Sequence, residues 1–131
     1  MLSTRPVLLV EDNPDDERLA LVGLKKAGVK NQVDIARDGE EALALVQGQA
    51  DGFSLILLDL KLPKIGGLDV LAHIKDAYGQ SSPPIVVFTS SDEPIDISRS
   101  RQLGANEFVT KPIDFNEYVE AIRKIAATFL S

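Results

Sequence analysis

A chain of 131 residues with a formal charge of −6 and no cysteine has room for one core of ordinary size. Its acidity argues against sequence-independent binding to nucleic acid or anionic membranes, which takes a basic surface, and without thiols neither a disulfide nor a cysteine-held zinc belongs to the design. No apolar run approaches the roughly 20 residues of a membrane helix, and Val7 to Val10 is too short for a signal sequence. A single domain over residues 1–131 and a cytoplasmic location are the expectations.

In chain order, Val7-Leu8-Leu9-Val10 is a continuous apolar run, as a strand buried on both faces requires. Asn13-Pro14 places a capping residue before a proline suited to the first helical turn, predicting a helix over 14–27 that Gly28 ends. Residues Gln32 to Ala36 form a mixed strand suited to a sheet edge, followed by a helix over 39–47. The apolar pattern repeats at Leu55-Ile56-Leu57-Leu58, with a helix over 67–77, and at Ile85-Val86-Val87-Phe88, with a thinly amphipathic helix over 92–103 that Gly104 ends. Glu107 to Thr110 reads as a second edge strand. Asp114 and Glu117 then open a helix over 114–129, whose stripe is Phe115, Tyr118, Val119, Ile122, Ile125, Ala126 and Phe129. Five β–α units in alternation predict an α/β fold, a parallel sheet with helices on both faces. Such folds place their ligands beyond the carboxyl ends of the strands.

The residues just past the strand runs are Glu11 and Asp12, then Asp59, then Thr89, and the last strand runs into Lys111-Pro112. Each has an ordinary explanation when taken singly: acids favoured at helix starts, a β-former, a solvated lysine. Together they bring carboxylates, a hydroxyl and an ammonium to one sheet edge. Clustered carboxylates repel; a hard divalent cation relieves the repulsion, and a lysine with a hydroxyl suits a phosphoryl group. Asp59 ends a run that reads as buried, where a carboxylate is costly without cations or donors.

Val10-Glu11-Asp12-Asn13, Leu57-Leu58-Asp59-Leu60-Lys61-Leu62-Pro63 with Gly66-Gly67, Phe88-Thr89-Ser90 and Val109-Thr110-Lys111-Pro112 stand in the order and spacing of response-regulator receiver domains. The chain resembles that family from about Pro6 to Phe129. The resemblance implies a flavodoxin-like sheet of order 2-1-3-4-5 and phosphorylation on Asp59. It implies Mg²⁺ held by Glu11, Asp12, Asp59 and the Lys61 backbone carbonyl, with Thr89 and Lys111 contacting the phosphoryl group. It further implies a cis Lys111-Pro112 bond and a switch in which Thr89 closes on the phosphoryl group while Phe108 turns inward, reshaping the face of the fourth helix, fifth strand and fifth helix. The loops 11–16, 89–92 and 114–118 look closest to phytochrome-associated single-domain receivers. The partners so implied are a sensor histidine kinase (phytochrome-type) or a histidine phosphotransfer protein, and a downstream protein target. A homodimer through the switch face is compatible with the sequence, although no residue compels it.

Lys61 and Ser91, each two positions past a site residue, depart from the family's commonest residues and are expected to flank the path of the water that hydrolyses the acyl phosphate. Phe108 replaces a common tyrosine. Rival readings are a phosphorelay shuttle or phosphate sink, an aspartyl phosphohydrolase, a flavodoxin-like carrier or unphosphorylated receiver, and the receiver part of a longer DNA-binding regulator. The phosphohydrolase lacks its second acid, because Lys61 stands there. The sequence supplied has no room for a DNA-binding output, so contact with other proteins is the expected output, and no enzyme activity is expected beyond the chain's own phosphorylation and dephosphorylation. Residues 12–17 lack the central glycine of a calcium loop and Gly66-Gly67 the lysine of a P-loop. His73 lies off its helix's apolar stripe and reads as surface.

Overall fold

The computed structural model describes residues 5–49 and 52–130. Strands β1 (Val7–Val10), β2 (Val33–Ala36), β3 (Leu55–Leu58), β4 (Ile85–Thr89) and β5 (Glu107–Thr110) alternate with helices α1 (Pro14–Lys26), α2 (Gly39–Gly48), α3 (Gly67–Tyr78), α4 (Pro94–Gln102) and α5 (Phe115–Phe129). All pairings are parallel, in the order β2-β1-β3-β4-β5. This is the flavodoxin-like architecture. The mixed strands are the two edges. The three apolar ones lie inside, buried at every position.

Side chains alternate across the sheet and divide the core into two layers. Leu8, Val10, Ile56, Leu58, Ile85 and Val87 face α2 and α3, packing on Ala42, Val46, Val70, Leu71 and Ile74. Val7, Leu9, Leu55, Leu57, Val86 and Phe88 face α1 and α5, packing on Ala20, Leu24, Tyr118, Ile122 and Ile125. A Cβ on Gly23 would lie 2.7 Å from the Ile122 Cβ, so α1 and α5 approach too closely there for any side chain. Phe88 and Tyr118 meet edge to face with centroids 5.0 Å apart. Among the described residues no helix is long and apolar enough to cross a membrane.

The caps explain the boundaries. The Asn13 side chain accepts from Asp15 N and Asp16 N, and that of Asp114 from Glu117 N, satisfying amides a helix start leaves free. Gly28 and Gly104 follow their helices with φ of +80° and +98°. Three expectations need correction. Helix α4 is shorter than 92–103, because Pro94 takes the first helical position. Phe115, placed on the α5 stripe, is 48% exposed, since as the first helical residue it has no preceding turn to pack beneath. Every peptide bond among the described residues is trans, Lys111-Pro112 included; the two isomers of such a bond differ by only about 0.5–1 kcal/mol, and only the family resemblance had favoured cis.

Helix α4 buries Ser100 fully, and the hydroxyl has no hydrogen-bond partner among the described residues. Ser100→Ala removes that group and improves helix propensity. It is expected to raise stability by about 1 kcal/mol, seen as a higher urea midpoint with an unchanged slope.

Candidate functional site

The sheet delivers the site residues with fixed backbones. Ladder hydrogen bonds continue one residue past three strands: Glu11 N to Ala36 O (2.9 Å), Asp59 N to Val10 O (3.1 Å) and Lys111 N to Thr89 O (2.7 Å). Glu11, Asp59 and Lys111 therefore project from the same carboxyl edge. Glu11 and Asp59 are 3% and 5% exposed, and Asp12 is exposed at the rim. One carboxylate oxygen from each of the three acids lies within 4.8 Å of the others.

The Lys111 ammonium reaches into this group, donating to Glu11 Oε1 at 2.5 Å, Asp59 Oδ2 at 2.9 Å and Asp16 Oδ2 at 3.1 Å. Burial alone would lower its pKa, but the hydrogen bond to Glu11 and the charge of Asp59 hold it above the ordinary lysine value. The second oxygen of each buried carboxylate also accepts a hydrogen bond: Asn13 N donates to Glu11 Oε2 at 3.1 Å and Lys61 N to Asp59 Oδ1 at 3.2 Å. Burial pushes the Glu11 carboxyl up from 4.5 to about 7, with the nearby Asp59 charge raising it and the Lys111 hydrogen bond opposing. The buried Tyr118 phenol, its pKa raised chiefly by burial, donates to the Asp16 carbonyl at 3.2 Å.

Hard oxygen donors from three carboxylates at this spacing, two of them buried, fit a divalent cation of the magnesium class. Glu11, Asp12 and Asp59 are the side chains that would hold it. Proton and cation compete for Glu11. A carboxyl whose folded pKa lies above its unfolded value holds a proton the unfolded chain has released, so its contribution to stability falls as pH rises from 4.5 through about 7. Over the same window cation affinity should rise, by up to about tenfold per unit, and level off above it. Titration with Mn²⁺ at pH 5.5, 6.5 and 8, followed by electron paramagnetic resonance, checks this; a flat profile would refute it.

Thr89 is fully buried and its hydroxyl oxygen accepts from Ser91 N at 3.4 Å. Phe108 is half-buried and packs against the core layer that faces α2 and α3. The Lys61 side chain is exposed, as is His73, whose Nδ1 lies 2.7 Å from the Asp69 carbonyl oxygen. Ser91 is 7% exposed and donates to Asp96 Oδ2 at 2.5 Å. Asp16 was not among the expected site residues. The signal for it is its position three residues after the cap Asn13, which turns it back toward the strand ends.

The model of the response regulator receiver domain matches residues 7–123. Response regulator Rcp1 of Synechocystis sp. is 36% identical over 129 residues, which cover 95% of this chain and 88% of that protein. The crystal structure of Mn²⁺-bound Rcp1 superposes with a TM-score of 0.88 at 35% identity, covering 97% and 95% of the two chains. That of the phosphorylated cyanobacterial phytochrome response regulator RcpA gives 0.91 at 35% identity, covering 98% and 96%. With its acids, lysine and threonine at the strand ends and this sheet order, the chain belongs to the response-regulator receiver domains.

Proposed function

We propose that this chain is a phosphoacceptor switch: Asp59 takes a phosphoryl group from the phosphohistidine of a sensor kinase, with Mg²⁺ as the cation, and the altered surface acts through protein contact. The observation that supports it most is Lys111 Nζ at 2.9 Å from Asp59 Oδ2, beside the oxygens of Glu11 and Asp12. Asp59 is the nucleophile. Its oxygen forms a bond to phosphorus as the P–N bond to the donor imidazole breaks, and the imidazole leaves with the electron pair and takes a proton. Lys111 follows the charge from the carboxylate to the phosphoryl oxygens, and Thr89 donates its hydroxyl to one of them. Held by Glu11, Asp12 and Asp59, a divalent cation would neutralise charge on the carboxylates and the incoming group. Phe108 and α4 then adopt a second arrangement. No turnover of an external substrate is part of this reading.

A phytochrome-type kinase is the favoured donor, because RcpA and the bacteriophytochrome response regulator AtBRR, 43% identical with a TM-score of 0.74, are among the similar structures. Ile113, two residues past Lys111, is fully exposed, an apolar anchor beside the site. Ile113→Ser should slow transfer from a protein donor about tenfold and leave labelling by acetyl phosphate alone. On the output side, a groove of about 480 Å³ between β5 and α5 has Val109, Pro112, Ala121 and Ile125 in its lining.

Incubation with acetyl phosphate and Mg²⁺, followed by mass spectrometry, tests the assignment. Asp59 should carry the label and Asp59→Asn should carry none; an unlabelled wild-type chain, or label elsewhere, sinks it.

A further inference from the structure

Ser91 uses every polar atom it has, and the bonds lead to separate elements. Its N–H donates to Thr89 Oγ1 at 3.4 Å, and its carbonyl accepts from Thr110 Oγ1 on β5 at 3.4 Å. Its hydroxyl donates to Asp96 Oδ2 in the first turn of α4 at 2.5 Å and accepts from Glu93 N at 3.3 Å. Ser90 and Asp92 on either side are exposed, whereas Ser91 is buried. Glu93, the residue that opens α4, makes no side-chain cap of its own. Ser91 and Asp96 therefore anchor the start of that helix.

We propose that Ser91 and Asp96 form a relay that ties the orientation of the Thr89 hydroxyl to the position of α4, Asp96 being a positioning residue that acts through Ser91. The inference rests on the receiver reading above. In this relay Thr89 turns to donate to an anionic group on Asp59, and the 3.4 Å bond from Ser91 N is the one that such a turn breaks. A buried N–H left without a partner is costly, so Ser91 shifts to find one. Its hydroxyl carries Asp96, and with it the first turn of α4. That helix offers little resistance, with only Ser100 buried. The movement of one hydroxyl becomes the displacement of a helix.

Asp96 has a second credible role, since an acid in a first turn favours the helix dipole. The two roles separate by substitution. Asp96→Asn keeps an oxygen that accepts from Ser91 and loses the charge; Asp96→Ala loses both; Ser91→Ala removes the donor and leaves the charge.

The experiment uses the whole chain with Mg²⁺, with and without beryllofluoride as an unreactive phosphoryl mimic. It reads the Thr89 methyl by NMR and the α4 amides by hydrogen exchange. In the wild type both respond. In Ser91→Ala and Asp96→Ala the Thr89 methyl should still shift, while the α4 amides exchange about fivefold faster before beryllofluoride is added, the loss expected for one hydrogen bond, and change little afterwards. Asp96→Asn should behave as wild type. A full α4 response in Ser91→Ala overturns the relay, as does Asp96→Asn behaving like Asp96→Ala. A wild-type chain that takes neither beryllofluoride nor phosphate at Asp59 overturns the receiver reading first, and the relay with it.

Discussion

Lys111→Met should lower the unfolding free energy of the metal-free protein by about 3 kcal/mol at pH 8, the order seen when one partner of a buried ion pair is removed. The Lys111 side chain is 6% exposed and hydrogen-bonds Glu11, Asp16 and Asp59. Methionine keeps much of the stem's packing and removes the charge, leaving buried carboxylates facing one another. The pH dependence has a defined sign. A lysine whose folded pKa is raised contributes its stability below its unfolded value of 10.5 and loses it only as pH climbs through the folded value. The ammonium is thus present throughout pH 5 to 8, and any change there comes from the acids. Glu11, already raised to about 7, can take a proton in the variant and relieve the repulsion. The deficit should therefore shrink at pH 5, and a saturating divalent cation should also remove most of it at pH 8. Phosphorylation separates from stability: the cation restores neutrality but not the lysine's contact with the phosphoryl group, so labelling of Asp59 should stay down about a hundredfold. Urea titrations at both pH values, with chelator or Mg²⁺, make the test. A loss indifferent to pH and cation would mean that Lys111 supports the fold by packing alone.

The fold was legible because its three inner strands are unbroken apolar runs and its two edge strands are not, which follows directly from burial on two faces. The site was legible for the same reason: a residue one past a strand, held by the last ladder bond, has its position set by the sheet. Glu11, Asp59 and Lys111 are such residues. Asp16 is not. It belongs to the acidic run Asp15, Asp16, Glu17 in a first helical turn, where acids are favoured whatever they touch. Only the phase of α1, fixed by the Asn13 cap, turns Asp16 rather than Asp15 toward Lys111. Ser91 was hidden differently. Its partner Asp96 lies in the first turn of α4, and the sequence gives no sign that the loop between them folds back to bring the two side chains together. Spacing along a strand is readable; closure of a loop depends on contacts between residues that no periodic pattern links.

Gly67→Ala should cost about 2–3 kcal/mol, the scale of overpacking against an unyielding neighbour, and weaken divalent-cation binding at least about tenfold. A Cβ on Gly67 would lie 2.3 Å from the Asp59 carbonyl oxygen and 2.5 Å from the Leu60 Cα. Both are backbone atoms, so no rotamer change makes room. Gly67 N also donates to Leu60 O at 3.0 Å, which seats the start of α3 on the segment that follows the acceptor. Relief of the clash must move the Asp59–Leu60 peptide. Asp59 Oδ1 receives its hydrogen bond from Lys61 N in the same segment, so the carboxylate moves with it, away from the oxygens of Glu11 and Asp12. Gly66 is the control. It has φ −68° and ψ 159°, open to any residue, and a Cβ there meets nothing within 4 Å. Gly66→Ala should therefore be neutral or stabilise by up to about 0.5–1 kcal/mol through the unfolded state. Urea midpoints and Mn²⁺ affinities of the two variants, measured side by side, decide the matter. If both glycines tolerate alanine equally, the close seat of α3 is not what holds Asp59 in place. If only Gly67 fails, and loses cation affinity as well as stability, the helix start is part of the site's geometry.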